Sequence, residues 1–151
     1  MEWTELTPEQ AAQHKHYGLG GWLLVLYALA VLAFVGSFLG LAGISTLKEK
    51  FGDSYIILVI LSLVQAVLHL PFIILAPKKH PLMPKAAVSA YWLSVSLTAI
   101  AALLTDPGHM LPQLAVGVIY VSLFQWYMNR SKRVNVTYRH RIPADGAADA
   151  G

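Results

Sequence analysis

Four long apolar segments dominate the pattern of hydrophobic and polar positions along the chain. They occupy residues 18–44, 55–76, 86–104 and 111–128, with polar loops between them. Each has about 18 residues or more, which as a helix is enough to cross roughly 30 Å of hydrocarbon. Helices of a buried soluble bundle would have polar outer faces, and these segments have none. The pattern therefore predicts an all-α polytopic membrane protein whose transmembrane domain, residues 18–138, is a bundle of four helices.

A polar leader, residues 1–17, precedes the first apolar segment and carries its own helix signal. Thr7 is a good N-cap, Pro8 suits the first helical position, and Gln10 completes a capping box. We expect a short amphipathic helix from Pro8 to about His16. It is predicted to lie at the membrane interface.

Composition and charge support a membrane location and suggest an orientation. The 151 residues are 56% hydrophobic and 13% charged, whereas a soluble domain carries about a quarter charged residues. With both termini inside, Lys48 and Lys50 are the only two of the eleven Lys and Arg residues outside. The positive-inside rule therefore predicts cytoplasmic N- and C-termini. Residues 139–151 are expected to form a flexible cytoplasmic tail.

The first apolar segment carries a stripe of small residues at 3-4-3 spacing, Ala33, Gly36, Gly40 and Gly43. The third segment has a comparable stripe that includes Ser94 and Thr98. In lipid, small residues let helix backbones approach closely, so such stripes mark packing faces. Two interpretations are open: packing within the bundle, and docking onto another subunit.

Polar side chains inside the apolar segments are few. Gln65 and His69 are four residues apart on one face of the second segment, and Gln125 lies in the fourth. An ionisable residue inside a span suggests function. His69 is either a structural histidine bonded to Gln125 or Ser94, or a contact for a proton, a quinone or a partner. No metal site or cofactor is predicted, although a bound phospholipid or quinone is left open.

Signatures of catalysis are missing from the sequence. It contains no G-x-S-x-G, H-E-x-x-H, phosphate-loop or dinucleotide-binding motif, and no Asp or Glu lies within an apolar segment. The chain has no cysteine, which excludes disulfides and thiol chemistry. We therefore expect that the protein is not an enzyme.

Aromatic and basic residues flank the first and fourth segments. Trp22 and Trp126 are placed to mark the membrane interface, where tryptophan is enriched. Arg130, Lys132 and Arg133 follow directly and would bind anionic lipid head groups, which fixes the topology. A nucleic-acid module would need a broad basic face in a folded domain, so no nucleic-acid partner is expected.

Two short motifs carry a resemblance to a known family. The opening motif Gly21–Leu23 and the closing motif, Ser131–Val134 followed by Thr137 and Tyr138, resemble the signatures of a bacterial inner-membrane family, domain-of-unknown-function family 2569. The resemblance implies a small four-span protein of the bacterial inner membrane. It implies no activity and no catalytic residues.

The closing motif continues beyond the basic cluster. Val134, Val136 and Tyr138 alternate with polar residues, which suggests an extended segment against the membrane, the bundle or a partner. We expect this segment to be ordered as far as about Tyr138 and to make specific contacts through Thr137 and Tyr138.

Two functions are compatible with these features. The first is a non-catalytic accessory or assembly subunit that docks on a larger membrane complex. The alternative is a component of a small-solute or proton transport assembly that uses the Gln65 and His69 face. The expected partners are membrane lipids with anionic head groups and other membrane subunits, or further copies of the chain.

Overall fold

The structure, a computed structural model, describes residues 2–105 and 107–144. Its helices are α1 (Pro8–Gln13), α2 (Trp22–Leu41), α3 (Ile44–Phe51), α4 (Tyr55–Leu75), α5 (Met83–Thr105), α6 (Pro107–Arg130) and α7 (Lys132–Arg139). A single 3-10 turn (Gly52–Ser54) joins α3 to α4. Two short strands, β1 (Trp3–Glu5) and β2 (Arg141–Pro143), lie at the two ends of the described chain.

Within the described residues, four helices are long and apolar enough to cross a membrane. They are α2, α4, the Met83–Leu103 part of α5 and the Leu111–Arg130 part of α6. The prediction of a multi-pass, all-α membrane protein is therefore confirmed. The small antiparallel sheet of β1 and β2 adds to this architecture without changing its class.

The ends of the spans differ from the sequence-based bounds where glycine and proline intervene. The first span, α2, begins at Trp22 and not at residue 18, because Gly18 and Gly21 have positive φ angles of 90° and 54°. The first span and α3 are separated at Gly43, and α3 ends at Gly52, whose φ is 55°. Apolar composition cannot reveal such breaks.

The long helices pack in sequence order: α2 against α4, α4 against α5, and α5 against α6. The buried core lies toward the end of the bundle where α4 ends and α5 begins. Its bundle members include Leu23, Phe72, Met83, Tyr91, Val121, Phe124 and Met128. Residues of α7 complete it, so this end of the bundle is closed by a further layer of chain.

That layer, which we call the cap, consists of residues 2–21 and 131–144. Helix α1 has the predicted capping box: the Gln10 amide donates to the Thr7 hydroxyl (3.3 Å), and the Thr7 amide donates to the Gln10 side chain (2.9 Å). It ends at Gln13, one turn earlier than expected. Strand β1 pairs with β2, so the two terminal segments lie on the same side of the bundle.

Two predictions about the terminal segments are wrong. The tail after Arg133 is helical as far as Arg139, not extended. Residues 139–144 are also not a flexible tail, because they include β2, and Ile142 packs with Ala11 and Val136 in a small core of the cap. The remainder of the expected flexible tail, residues 145–151, lies outside the described residues.

Candidate functional site

Helix α7 is buried on all sides between Val134 and Tyr138. Ser131 is its N-cap, and the Ser131 hydroxyl accepts a hydrogen bond from the Val134 amide (3.4 Å). Five consecutive residues, Val134 to Tyr138, are buried. A helix without an exposed face in this stretch lies between other elements. Helix α7 therefore separates the leader from the membrane bundle and contacts both.

Tyr138 joins the cap to the bundle. Its side chain is 1% exposed, and its hydroxyl donates a hydrogen bond to the carbonyl of Ala76 (3.0 Å), at the end of α4. Burial raises the pKa of Tyr138, so the hydroxyl stays protonated and remains a donor. The expected specific contact of Tyr138 is therefore an intramolecular one.

Thr137 and Arg133 bind the glycine-rich loop that precedes α2. The Gly18 amide donates to the Thr137 hydroxyl (2.9 Å), which in turn donates to the carbonyl of His16 (3.5 Å). The Arg133 guanidinium donates to the carbonyl of Gly18 (3.5 Å). The opening and closing motifs of the sequence therefore form one contact.

Glycine suits this loop for two separate reasons. A Cβ at Gly20 would lie 3.0 Å from Nη1 of Arg133, so a side chain there would push the guanidinium away. Gly21, at the start of α2, combines a φ of 54° with a ψ of −140°, a conformation nearly exclusive to glycine. Gly20 thus accommodates the contact with α7, and Gly21 meets the backbone requirement at the start of α2.

Asn135 is a cap residue that the sequence analysis missed. It is fully buried, and its amide nitrogen donates to the carbonyls of Asn129 (3.0 Å) and Ser131 (2.9 Å). Its carbonyl oxygen accepts from Arg141 (2.8 Å) and Arg139 (3.1 Å). Asn135 therefore ties the end of α6 to β2. The sequence did contain a signal for this role, because Asn135 is a single polar side chain between Val134 and Val136.

The residues predicted to bind lipid head groups divide into two kinds. Trp22 and Trp126 are largely exposed at the cap end, and Arg130 and Lys132 are also exposed. All four are free to meet a membrane surface, and their head-group role stays a prediction. Arg133 differs, because it is partly buried against the glycine loop.

The glycines of the small-residue stripe on α2 do not face another helix in the described part of the bundle. Ala33, Gly36 and Gly40 are exposed, and a Cβ added at Gly36 or Gly40 would meet nothing within 4 Å. Gly43 approaches only the carbonyl of Gly40, at 3.7 Å. The interpretation that Gly36 and Gly40 pack within the bundle is therefore wrong for the described residues.

Gln65 connects α4 to the stripe on α5. Its amide nitrogen donates to the Thr98 hydroxyl (2.8 Å) and to the Ser94 carbonyl (3.2 Å), and its oxygen accepts from the Ser94 hydroxyl. Both functional groups of the amide are thus used between the two helices. Hydrogen bonds of this kind stabilise helix pairs in membranes.

His69 has neither of the partners expected for it. Gln125 accepts a hydrogen bond from the indole of Trp92 (2.7 Å), and Ser94 is bonded to the amide of Gln65. The Nδ1 atom of His69 is buried and has no hydrogen-bond partner among the described residues. The His69 ring instead contacts the ring of Tyr91 edge-on, with centroids 5.5 Å apart.

The described residues contain no group of three or more His, Cys, Asp or Glu side chains that could hold a metal ion. Comparison with protein families gives one match: the family described as "Protein of unknown function (DUF2569)" matches residues 16–139. The chain matches no curated protein and no solved structure. The matched region begins in the leader and ends with α7, so it includes both motifs that meet in the cap.

Proposed function

Because the chain belongs to the DUF2569 family, whose description names no activity, we propose from its geometry that it is a non-catalytic accessory subunit of a larger membrane complex. The proposed location is the bacterial inner membrane, with both termini cytoplasmic. The distribution of basic residues supports this orientation. The pairing of β1 with β2 supports a common side for both termini.

The observation that carries this proposal is the open glycine face of α2. One side of α2 packs along α4, whereas Gly36 and Gly40 have open space where a Cβ would stand. Glycine disfavours helix and adds no apolar surface, so a lipid-facing stripe gains nothing from it. Glycines are favourable where another transmembrane helix packs closely, because they let the two backbones approach. We propose that a helix of a partner subunit docks there.

The transport alternative receives less support. The Gln65 side chain, which would line a polar path, is instead engaged with Thr98 and Ser94. A path would also need polar groups that remain free to exchange partners with a solute. The docking function is therefore the better conclusion.

The test is affinity purification in mild detergent from cells that express the chain at its native level, followed by mass spectrometry. We expect a defined membrane partner with the wild-type chain. Gly36→Leu and Gly40→Leu should reduce its recovery at least about tenfold, since loss of about 1.4 kcal/mol of docking energy suffices. Thermal unfolding of each purified variant checks that the chain itself remains folded.

Ala28→Leu is the matched control. Ala28 is an exposed small residue on another side of the same helix, so this variant adds similar bulk away from the stripe. It should retain the partner. Recovery of the wild-type chain alone, or only with further copies of itself, would overturn the proposal. Equal recovery of the partner with all three leucine variants would do the same.

A further inference from the structure

A cavity of about 290 Å³ lies within the membrane bundle, between α2, α4, α5 and α6. It is separate from the cap and lies nearer the middle of the helices. His69 and Tyr91 line it from α4 and α5, Ala33 lines it from α2, and Gly117 and Tyr120 line it from α6. Its volume is close to the lower end of the range for small-molecule sites, about 300–1,000 Å³.

Two polar groups of this cavity lack partners. Tyr91 is 5% exposed and lines the cavity, and none of the hydrogen bonds between described residues includes its hydroxyl. The Nδ1 atom of His69, whose ring contacts that of Tyr91, is also without a partner. The buried Nδ1 atom is costly to leave unpaired in a low-dielectric interior. A ligand with oxygen atoms would relieve this.

The cavity opens sideways, toward the lipid. Helices α2 and α6 do not pack along each other in the described part of the chain, in contrast to the other neighbouring pairs. Ala33 and Tyr120 stand on the two sides of this gap, and Tyr120 is 44% exposed. A ligand would therefore enter from the hydrocarbon region, which requires a lipid-soluble molecule.

The residues that line the cavity further restrict the class of ligand that it can bind. None of the described residues that line the cavity is Lys, Arg, Asp or Glu, so a phosphate or ammonium head group would find no counter-charge. An acyl chain would leave the hydroxyl and imidazole unpaired. The rings of Tyr91 and Tyr120 are edge-on, 6.1 Å apart, and form an aromatic wall that suits a planar ring.

We propose that this cavity binds the neutral ring of a lipid-soluble quinone or quinol. The Tyr91 hydroxyl and the His69 imidazole hydrogen-bond to the ring oxygens, and the isoprenoid tail leaves through the gap between α2 and α6. The two redox forms share this recognition, because each presents ring oxygens to a group that can donate or accept. This site is complete in the isolated chain, and it shares Ala33 with the small-residue stripe whose Gly36 and Gly40 form the proposed docking face.

The experiment uses the full chain in nanodiscs of phosphatidylcholine that contain no quinone. A photoreactive azido derivative of decyl-benzoquinone is the probe, with unlabelled decyl-benzoquinone as competitor. We expect saturable labelling that maps to α4, α5 or α6 and is lost with competitor. Tyr91→Phe should weaken the apparent affinity about tenfold, the equivalent of one buried hydrogen bond. Ala33→Trp, which fills the cavity from an exposed position, should abolish the labelling.

Tyr127→Phe is the control, because it removes a tyrosine hydroxyl that does not line the cavity, and it should bind as the wild type does. Thermal unfolding of every variant excludes misfolding as the cause. Labelling that does not saturate, or that is equal in wild type, Tyr91→Phe and Ala33→Trp, would overturn the proposal. Such a result would mean that the probe only partitions into the lipid bilayer. Labelling competed equally by added phospholipid would also overturn it, in favour of an acyl-chain site.

Discussion

The two ends of the membrane bundle use glycine in opposite ways. At the cap end, Gly20 allows the guanidinium of Arg133 to approach, and a Cβ there would lie 3.0 Å from it. Toward the other end of α2, Gly36 and Gly40 face open space. In the first place the partner that needs the glycine is within the chain. In the second, no part of the described chain lies within 4 Å of the added Cβ, which is why we propose that this face meets another molecule.

The difference extends to the hydrogen bonds of the two ends. The cap is held by side-chain bonds from Thr137, Tyr138 and Asn135 to backbone carbonyls and amides of distant elements. The open half of the bundle has one comparable interhelical group among the described residues, the amide of Gln65. The cap end therefore should resist perturbation as a unit, whereas the open half should tolerate change at its surface.

The largest effect is expected at Tyr138. Tyr138→Ala removes a buried aromatic ring and should lower the free energy of unfolding by about 3–5 kcal/mol. Tyr138→Phe should lower it by only about 1 kcal/mol, because the Ala76 carbonyl also accepts from the Lys79 amide. Unfolding in detergent micelles, followed by circular dichroism, measures both.

The control for this comparison is Leu32→Ala, at an exposed position of α2. It should change the free energy of unfolding by no more than about 0.5 kcal/mol. If Leu32→Ala and Tyr138→Ala destabilise the chain equally, the contrast between a closed and an open end fails.

A smaller loss of stability is expected from alanine substitution at two glycines, Gly21 in the cap and Gly52 after α3, which have nearly the same backbone conformation. Gly21 has φ 54° and ψ −140°, and Gly52 has φ 55° and ψ −138°. Alanine is strained by about 1–3 kcal/mol in such a region. We expect Gly21→Ala to show this loss in full, because Arg133 and the cap hold its loop. Gly52→Ala should lose less, because nothing lies within 4 Å of the added Cβ and the loop can adjust.

The same unfolding measurement decides this second prediction. Equal losses in the two alanine variants would mean that the cap loop is no more constrained than the loop after α3. A larger loss for Gly52→Ala would reverse the comparison.

The smallest effect concerns pH. Burial lowers the pKa of His16, and the positive charges of His14, Arg133, Lys15 and Lys132 add to this. The unfolded leader therefore binds a proton more readily than the folded cap, so the stability of the cap is present above about pH 6.5 and falls as the pH drops below it. Hydrogen exchange of the α7 amides should accelerate with acid relative to α4. His16→Gln should flatten this dependence, and an unchanged pH profile in that variant would contradict the assignment.

The spans could be predicted from sequence because lipid imposes a simple rule. A helix must satisfy its own backbone groups and must be apolar for about 20 residues, and both conditions are visible in one sequence. The capping box of α1 was equally readable, since Thr7 and Gln10 are three residues apart. Local signals of this kind were confirmed.

The tail was misread because its helix has no polar face. Val134, Val136 and Tyr138 alternate with polar residues as a half-buried strand would, but Asn135 and Thr137 are buried as well. Asn135 is satisfied by nearby carbonyls and by two arginine side chains, and Thr137 is satisfied by Gly18, 119 residues away. The hydrophobic periodicity of a single sequence cannot reveal a pairing between residues so far apart in the chain.

The order of synthesis gives the β1–β2 pair a consequence for biogenesis. Strand β1 precedes the first span and β2 follows the last, and hydrogen bonds from Leu6 to His140 (2.7 Å) and from Ala144 to Glu2 (3.0 Å) extend the pairing. The leader therefore stays unpaired until every span has been inserted. A chain that stalls before α6 displays a strand edge and a glycine loop without their partners. The cap thus forms only in chains whose last span is already in place.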